Sequence, residues 1–184
     1  MNLQGQFSRL FDPGRIGTLE LKNRIIMPPM ATSFPTIWGE ATDTMVDYFK
    51  ARARGGAALL FLEVTAVATA IDRLKQLPRG LRLDDDGFGP ALAEVVESVH
   101  EANAKVGIQL SPGFSSQARI GPWIIGQQYV EEVPAVSPSG VIHPEVKRPS
   151  RELTIKEIKK IVKLFGFAAA VSYTHLTLPT KRIV

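Results

Sequence analysis

The pattern of hydrophobic and polar positions predicts alternating helices and strands. Met45, Phe49 and Ala53 lie four residues apart, so they share one face of a predicted helix. Thr42 and Asp43 are candidate N-caps, because their side-chain oxygens can accept hydrogen bonds from the free N–H groups at a helix start. A pair of glycines follows Arg54 in the sequence and ends this helix.

Short apolar runs predict the strands. Residues 57–64 form a near-continuous apolar run with no alternation, which indicates a strand buried on both sides, as in a parallel sheet. Residues 105–110 are predicted to form a third short strand. Residues 24–27 form a briefer run that stops at two prolines. Turn signals within residues 11–21 predict a β-hairpin ahead of that run.

Two further helices follow the later strands. The stripe of the first has a 3.6-residue period and consists of Leu92, Val95, Val96, Val99 and Ala102. Thr154 and Glu157 form a capping box at the start of the second. The stretches before these helices, residues 72–86 and the Gly-, Pro- and Ser-rich segment from 111 to 151, are predicted as loops.

The predicted order, a hairpin followed by β-α-β-α-β-loop-α, indicates an α/β protein with parallel β-α-β units. An open doubly wound sheet and a closed (β/α)₈ barrel both fit this order, and periodicity does not choose between them. The glycine-rich fingerprint of dinucleotide-binding sheets is absent after every strand. The 184 residues fall short of the roughly 250 that a complete barrel typically needs.

Composition excludes several classes of protein. Apolar residues make up 45% and charged residues 22%, the balance of a globular domain. No apolar run approaches the roughly 20 residues that span a bilayer, and the N-terminal residues do not resemble a secretory signal, so we expect a cytoplasmic protein with no membrane partner. There are no cysteines to form disulfides or thiolate metal sites in this stretch. The net charge of +4 comes from scattered Lys and Arg, which favours an ordinary solvated surface over a nucleic-acid interface.

The sequence predicts no metal site. Asp84, Asp85 and Asp86 are consecutive, so they cannot all face one ion from a regular element, and we expect them to be solvated at a helix start. His100 and His143 have no histidine partner at a metal-ligand spacing.

Several segments resemble the Old Yellow Enzyme group of NADH:flavin oxidoreductases. They are residues 10–27, 48–56, 108–110, 137–139 and 149–158. Within the group, the chain is most similar to the enoate-reductase branch, which includes dienoyl-CoA reductases and bile-acid-pathway enzymes. The resemblance implies a partial, truncated (β/α)₈ TIM barrel, made of an N-terminal hairpin and about three β-α units, that binds FMN at the carboxyl ends of its strands. It also implies hydride transfer from NAD(P)H through the flavin to a small-molecule substrate with an alkene conjugated to a carbonyl.

The resemblance assigns flavin contacts to the segment after the first barrel strand. Its members are Pro28, Pro29, Met30 and Ala31. A stiff, proline-bearing strand end can present a flat apolar surface to the isoalloxazine ring, although two prolines can also simply end a strand. Relatives often carry a cysteine or threonine where this chain has Ala31, so tuning of the flavin by a hydrogen bond from that side chain is absent.

Two more contacts follow from the resemblance. The backbone of Val64 matches a position that meets the flavin, and an ordinary buried strand residue is the alternative. Gln109 matches a glutamine whose amide binds the pyrimidine end of the flavin. A buried amide needs a partner, because an unpaired one costs on the order of 1–3 kcal/mol, and either the flavin or a neighbouring backbone group can supply it.

The aromatic residues of the long loop have two interpretations. Phe114, Trp123 and Tyr129 either line a substrate mouth or pack the loop against the barrel. Directly after Gln109 and Leu110, many relatives carry a histidine followed by Gly-Arg, whereas this chain has the different residues 111–117, which puts the usual substrate contacts in doubt.

The last residues do not continue the family pattern. Residues 171–184 resemble the in-frame translation of a sequencing adapter, so we expect residues 1–170 to be the N-terminal part of an FMN-binding barrel domain and the rest a non-native tail. The family's His-containing pair that binds the substrate carbonyl is not reached. Tyr173 and His175 fall in the tail, and we assign no catalytic residue.

The resemblance also leaves alternatives open. Any iron–sulfur cluster or FAD domain would lie in a missing C-terminal part. The truncated chain could itself be inactive and bind no flavin, or it could belong to an unrelated barrel enzyme that acts on a phosphorylated metabolite.

Overall fold

A four-stranded parallel sheet flanked by helices organises the chain. The computed structural model describes residues 7–71, 80–113, 135–142, 144, 147 and 149–177. In chain order the elements are α1 (Ser8–Phe11), β1 (Gly14–Ile16), β2 (Leu19–Leu21), β3 (Ile26–Met27), α2 (Asp43–Arg54), β4 (Leu59–Ala66), β5 (Leu81–Arg82), a 3₁₀ turn (Asp86–Phe88), α3 (Gly89–His100), β6 (Lys105–Ser111), β7 (Ala135–Ser137), β8 (Ser150–Glu152) and α4 (Ile155–Thr177).

Strand β4 lies at the centre of the sheet. It pairs in parallel with β6 along one edge, from Leu59 opposite Lys105 to Ala66 opposite Ser111. Strands β3 and β5 pair in parallel with its beginning and its end, on the other edge. Strands β1 and β2 form a separate antiparallel hairpin. The predicted parallel β-α-β units and the predicted hairpin are both confirmed.

The main core lies between one face of this sheet and the helices. Leu60 and Leu62 of β4 are fully buried there, together with the predicted α2 stripe of Met45, Phe49 and Ala53. The predicted stripe of α3 is also buried at Leu92, Val95, Val96 and Val99. Ala102 lies just past the end of α3 and is only partly buried.

The opposite face of the sheet is open. A small cluster of Leu21, Ala58 and Leu59 covers its beginning beneath the hairpin, but Ile26 and Gln109 are exposed. Gln109 was expected as a buried amide within the third strand, and that strand is instead open on this side. No second layer of the described part of the chain packs on this face, although the strand composition is that of a fully enclosed barrel strand.

Two local predictions also need correction. Thr42 occupies the N-cap position of α2, but its hydroxyl donates to the Phe34 carbonyl (2.9 Å) and makes no cap hydrogen bond. Strands β5, β7 and β8 lie in stretches predicted as loops. They have only two or three residues each, which is too short to show a periodic hydrophobic pattern in the sequence.

The capping box of α4 is confirmed. The Glu157 carboxylate accepts from the backbone N–H and the hydroxyl of Thr154 (both 2.9 Å), and the Thr154 hydroxyl accepts from the N–H of Glu157 (3.2 Å). The helix continues past Ala170 to Thr177, and Val171 packs against the main core, so the proposed start of the tail is not marked by a break in structure. No helix within the described residues is long and apolar enough to cross a membrane.

Candidate functional site

The carboxyl ends of β3, β4 and β6 meet at one edge of the sheet. Because these strands are parallel, the segments that follow them lie on the same side. Residues 28–31 follow β3, Val64 lies near the end of β4, and Gln109 lies near the end of β6. This is the edge at which α/β barrels place their active sites.

A β-bulge brings two predicted site residues together. Leu62 pairs with Ile108, but the next pair is Val64 with Gln109, so Glu63 is an extra residue in β4. Phe61 pairs with Gly107, two residues before Gln109, so Val64 and Gln109 lie on the same open face as Phe61. The bulge therefore keeps Val64 on the open face and places it beside Gln109.

A close contact explains the glycine in β6. A Cβ atom on Gly107 would lie 2.5 Å from the ring of Phe61, well inside van der Waals contact. Because Gly107 has no side chain, the Phe61 ring can lie over β6. The ring covers the open face of the sheet at the positions that precede Val64 and Gln109.

The segment after β3 presents its predicted contact residues to the exterior. Pro28, Met30 and Ala31 are exposed, and Pro29 is half-buried. The Met30 side chain is 53% exposed although it is apolar. The structure thus places all four residues at the carboxyl edge with surface available to a planar ligand.

Residues 28–31 are anchored by contacts of the residues that directly follow them. The N–H and the hydroxyl of Thr32 both donate to Oε2 of Glu63, at 2.7 Å and 2.5 Å. Two residues later the Phe34 ring packs edge-on against Tyr48 of α2, with ring centroids 5.4 Å apart. Residues 28–31 are therefore held by β3 on one side and by these contacts on the other.

Glu63 is the feature of this site that sequence reasoning missed. Its side chain is fully buried, and its Oε1 has no hydrogen-bond partner among the described residues. Burial raises the pKa of Glu63 above its ordinary value of 4.5, while hydrogen bonds from Thr32 and from the backbone of Leu81 oppose the rise. The sequence does contain a signal for this role, because Glu63 is a lone carboxylate within an apolar strand. A buried carboxylate requires a hydrogen-bonding partner.

A second polar cluster connects the segment after β4 to the segment after β5. Arg82 makes a two-pronged ion pair with Asp84 (3.0 Å each), and the Thr69 hydroxyl donates to the same carboxylate. Burial tends to raise the pKa of Asp84, but the hydrogen bonds and charge of Arg82 and the bond from Thr69 together hold it below 3.8. Gly39 lies against this arginine with φ of +99°, and a Cβ there would lie 2.5 Å from the Arg82 side chain.

This cluster corrects one prediction about the acidic run. Asp85 and Asp86 are exposed, and Asp85 caps the 3₁₀ turn by accepting from the N–H of Gly87 (2.8 Å). The prediction that Asp84 is solvated is wrong, because its carboxylate forms the ion pair with Arg82. Within the described residues no three His, Asp or Glu side chains lie together as a metal site would require.

The other predicted residues have different outcomes. Gln109 is exposed, so the argument from a buried amide does not hold for this chain. The structure places Gln109 beside Val64. Phe114, Trp123, Tyr129 and His143 lie outside the described residues. His100 is half-buried beside the α3 stripe, and burial together with the charge of Lys105 lowers its pKa below 6.5.

Comparison with known proteins identifies the family. The sequence pattern of the NADH:flavin oxidoreductase / NADH oxidase family matches residues 9–174. The chain belongs to this family. The match covers all three strands of the candidate edge, and it continues four residues past the boundary proposed at residue 170.

Individual members of the NADH:flavin oxidoreductase family agree with this assignment. The chain is 37% identical over 170 residues to an NADH oxidase of Thermoanaerobacter brockii, covering 89% of this chain and 24% of that protein. It is 32% identical over 174 residues to a cinnamate reductase of Clostridium sporogenes, covering 92% of this chain and 25% of that protein. The chain therefore spans about a quarter of the length of these two relatives.

A solved structure confirms the fold class. The Old Yellow Enzyme of a Pichia species superposes with a TM-score of 0.73 at 25% identity, over 91% of this chain and 43% of that one. The described sheet and helices are thus part of a (β/α)₈ barrel, beginning with its N-terminal hairpin. The predicted fold class is confirmed.

Proposed function

We propose that this chain is the N-terminal part of an FMN-dependent oxidoreductase that reduces an activated C=C bond with NAD(P)H. The observation that carries the proposal is the carboxyl edge, where Val64 and Gln109 are neighbours in register and three of residues 28–31 lie exposed after the adjoining strand. Family membership supplies the flavin, and the edge supplies a surface of the right kind to hold it.

The residues present fit one face and one end of a flavin ring. Met30 and Ala31 offer apolar surface next to two prolines, and the exposed Gln109 amide carries both a donor and an acceptor for a polar ring edge. These residues would bind and orient FMN. When bound, FMN supplies the hydride chemistry between NAD(P)H and the alkene.

Other parts of a flavin site have no counterpart in the described residues. Barrel phosphate sites come from the loops after strands seven and eight, which this chain does not reach. We therefore place the phosphate contacts, the substrate-binding groups and any iron–sulfur or FAD domain in the longer protein.

The names of two similar proteins support a proposal for the substrate class. One curated relative is a cinnamate reductase, and a structural neighbour at 19% identity is a 2-naphthoyl-CoA reductase crystallised with its substrate. Both names denote unsaturated acids or thioesters. We propose a small α,β-unsaturated acid or its thioester for the longer protein.

The test is to express the uninterrupted reading frame from the source DNA. We expect a yellow protein that releases FMN on denaturation and oxidises NADH or NADPH when cinnamate or an enoyl thioester is added. A purified, folded protein with no flavin, and no flavin uptake on reconstitution, would refute the proposal.

We also propose that the 184-residue chain by itself is inactive and holds no stoichiometric flavin. The open face leaves Ile26 and Gln109 exposed, and unpaired strand edges favour association. Purified chain incubated with FMN and desalted should retain little absorbance near the flavin bands. Retention of one FMN per soluble monomer would contradict this.

We propose further that residues 171–184 are a tail foreign to the gene. The support is the adapter-like sequence alone, since α4 crosses the boundary without interruption. Resequencing the source DNA across codon 170 should give a different continuation, with a fourth barrel strand. The same residues in an independent clone would overturn the idea.

A further inference from the structure

A buried carboxylate of β4, that of Glu63, anchors the chain directly after residues 28–31. Pro28 and Pro29 have no backbone N–H, so they cannot donate hydrogen bonds to the sheet. Strand β3 itself has only two residues. Among the described hydrogen bonds, the segment is tied to β4 beyond the prolines by the two that Thr32 donates to Glu63.

We propose that Glu63 is a positioning residue, which fixes the flavin-contacting segment 28–31 by holding Thr32 against the bulge of β4. The inference rests on the proposed function, because it concerns the residues that would contact the flavin. Glu63 itself contacts neither flavin nor substrate in this account.

The bulge explains why a glutamate can take this role. An uninterrupted strand would place position 63 on the open face with Phe61, whereas the extra residue gives that face to Val64. The carboxylate is then fully buried and meets Thr32. One bulge thus sets both the flavin-facing position of Val64 and the anchor of the neighbouring segment.

The chemistry of the contact suits a precise anchor. One oxygen accepts two hydrogen bonds from the backbone and side chain of the same residue, which restrains both the backbone and the side-chain torsion of Thr32. Hydrogen bonds to a charged acceptor are shorter and stronger than neutral ones. The next residue, Ser33, has φ of +57°, so the chain turns immediately after the anchor.

The test uses the full-length protein and four variants. Glu63→Ala removes the acceptor, and Glu63→Gln keeps an acceptor oxygen without the charge. Thr32→Val removes the hydroxyl, and Thr32→Ser keeps it. Thr69→Val is the matched control, because it also removes a threonine hydroxyl bound to a carboxylate at the same end of β4 without touching the segment.

Two measurements separate positioning from general stability. Hydrogen exchange at the amides of residues 32–34 in the flavin-free protein reports the anchor itself. The FMN dissociation constant and the visible bands of the bound flavin report its consequence. Loss of a hydrogen bond to a charged group predicts roughly a tenfold or larger rise in the dissociation constant.

We expect faster exchange, weaker FMN binding and shifted flavin bands in Glu63→Ala and Thr32→Val. Thr32→Ser and Thr69→Val should match the wild type, and Glu63→Gln should lie in between. If Glu63→Ala does not fold, the comparison of FMN affinity and amide exchange between Thr32→Val and Thr32→Ser tests the inference instead. If Thr32→Val and Glu63→Ala bind FMN with wild-type affinity and wild-type flavin bands, the inference about Glu63 is wrong but the proposed function stands. If the wild-type protein binds no FMN, both the proposed function and the inference are wrong.

Discussion

Single residues at the carboxyl edge show both what the sequence can reveal and where it misleads. Val64 and Gln109 were predicted as flavin contacts from a family resemblance, and β4–β6 pairing places them side by side. The role of Glu63 depends on a bulge, which shifts a residue from one face to the other without leaving a periodic signal. Asp84 was expected in solvent because it begins a run of three carboxylates before a helix, and that pattern does not reveal the ion pair with Arg82 or the hydrogen bond from Thr69.

The buried carboxylate of Glu63 predicts a specific pH dependence of stability. Its pKa is raised by burial, so the folded protein keeps a proton that the unfolded chain loses above about pH 4.5. Ionisation therefore costs folding free energy as pH rises from 4.5 through the folded-state pKa. Glu63→Gln avoids this cost.

Urea unfolding of both proteins at several pH values measures the effect. The stability of Glu63→Gln relative to the wild type should increase from pH 4 to pH 7. A relative gain by the wild type over the same range would mean that the bonds from Thr32 outweigh burial.

Secondary-structure elements were the most predictable part of this chain. The stripes of α2 and α3 and the capping box of α4 are local patterns, so sequence spacing alone identifies them. Strand burial was less predictable, because it depends on layers contributed by other parts of a barrel. The open face beside Gln109 is the clearest case.

The capping box predicts how α4 responds to mutation and acid. Thr154→Ala should lower the free energy of unfolding by about 1 kcal/mol, the usual effect of losing an N-cap side chain. The pKa of Glu157 is lowered to about 2, first by the hydrogen bond from Arg151 and then by those from Thr154. Its contribution is complete above pH 4.5 and is lost as pH falls toward 2.

Urea unfolding followed by circular dichroism checks both statements. Lys156→Ala, which changes an exposed neighbour outside the box, is the control. An acid-induced loss of stability that is the same in Glu157→Gln and in the wild type would contradict the assignment to Glu157.

The molecule as a whole is a section of a larger barrel. Its sheet has the parallel order, hairpin and carboxyl edge of the family, while one face remains open where a complete barrel would continue. We propose that this open face carries part of a flavin site. The chain spans about a quarter of the length of its two long relatives.

We propose that this edge binds the flavin through Gln109 and its neighbours. Titration of the full-length apoprotein with FMN, in the wild type and in Gln109→Leu, tests it most directly. Loss of the amide should weaken binding by roughly tenfold, since the polar edge of the ring would lose its hydrogen bonds. Equal affinities for FMN in the two folded proteins would contradict the claim.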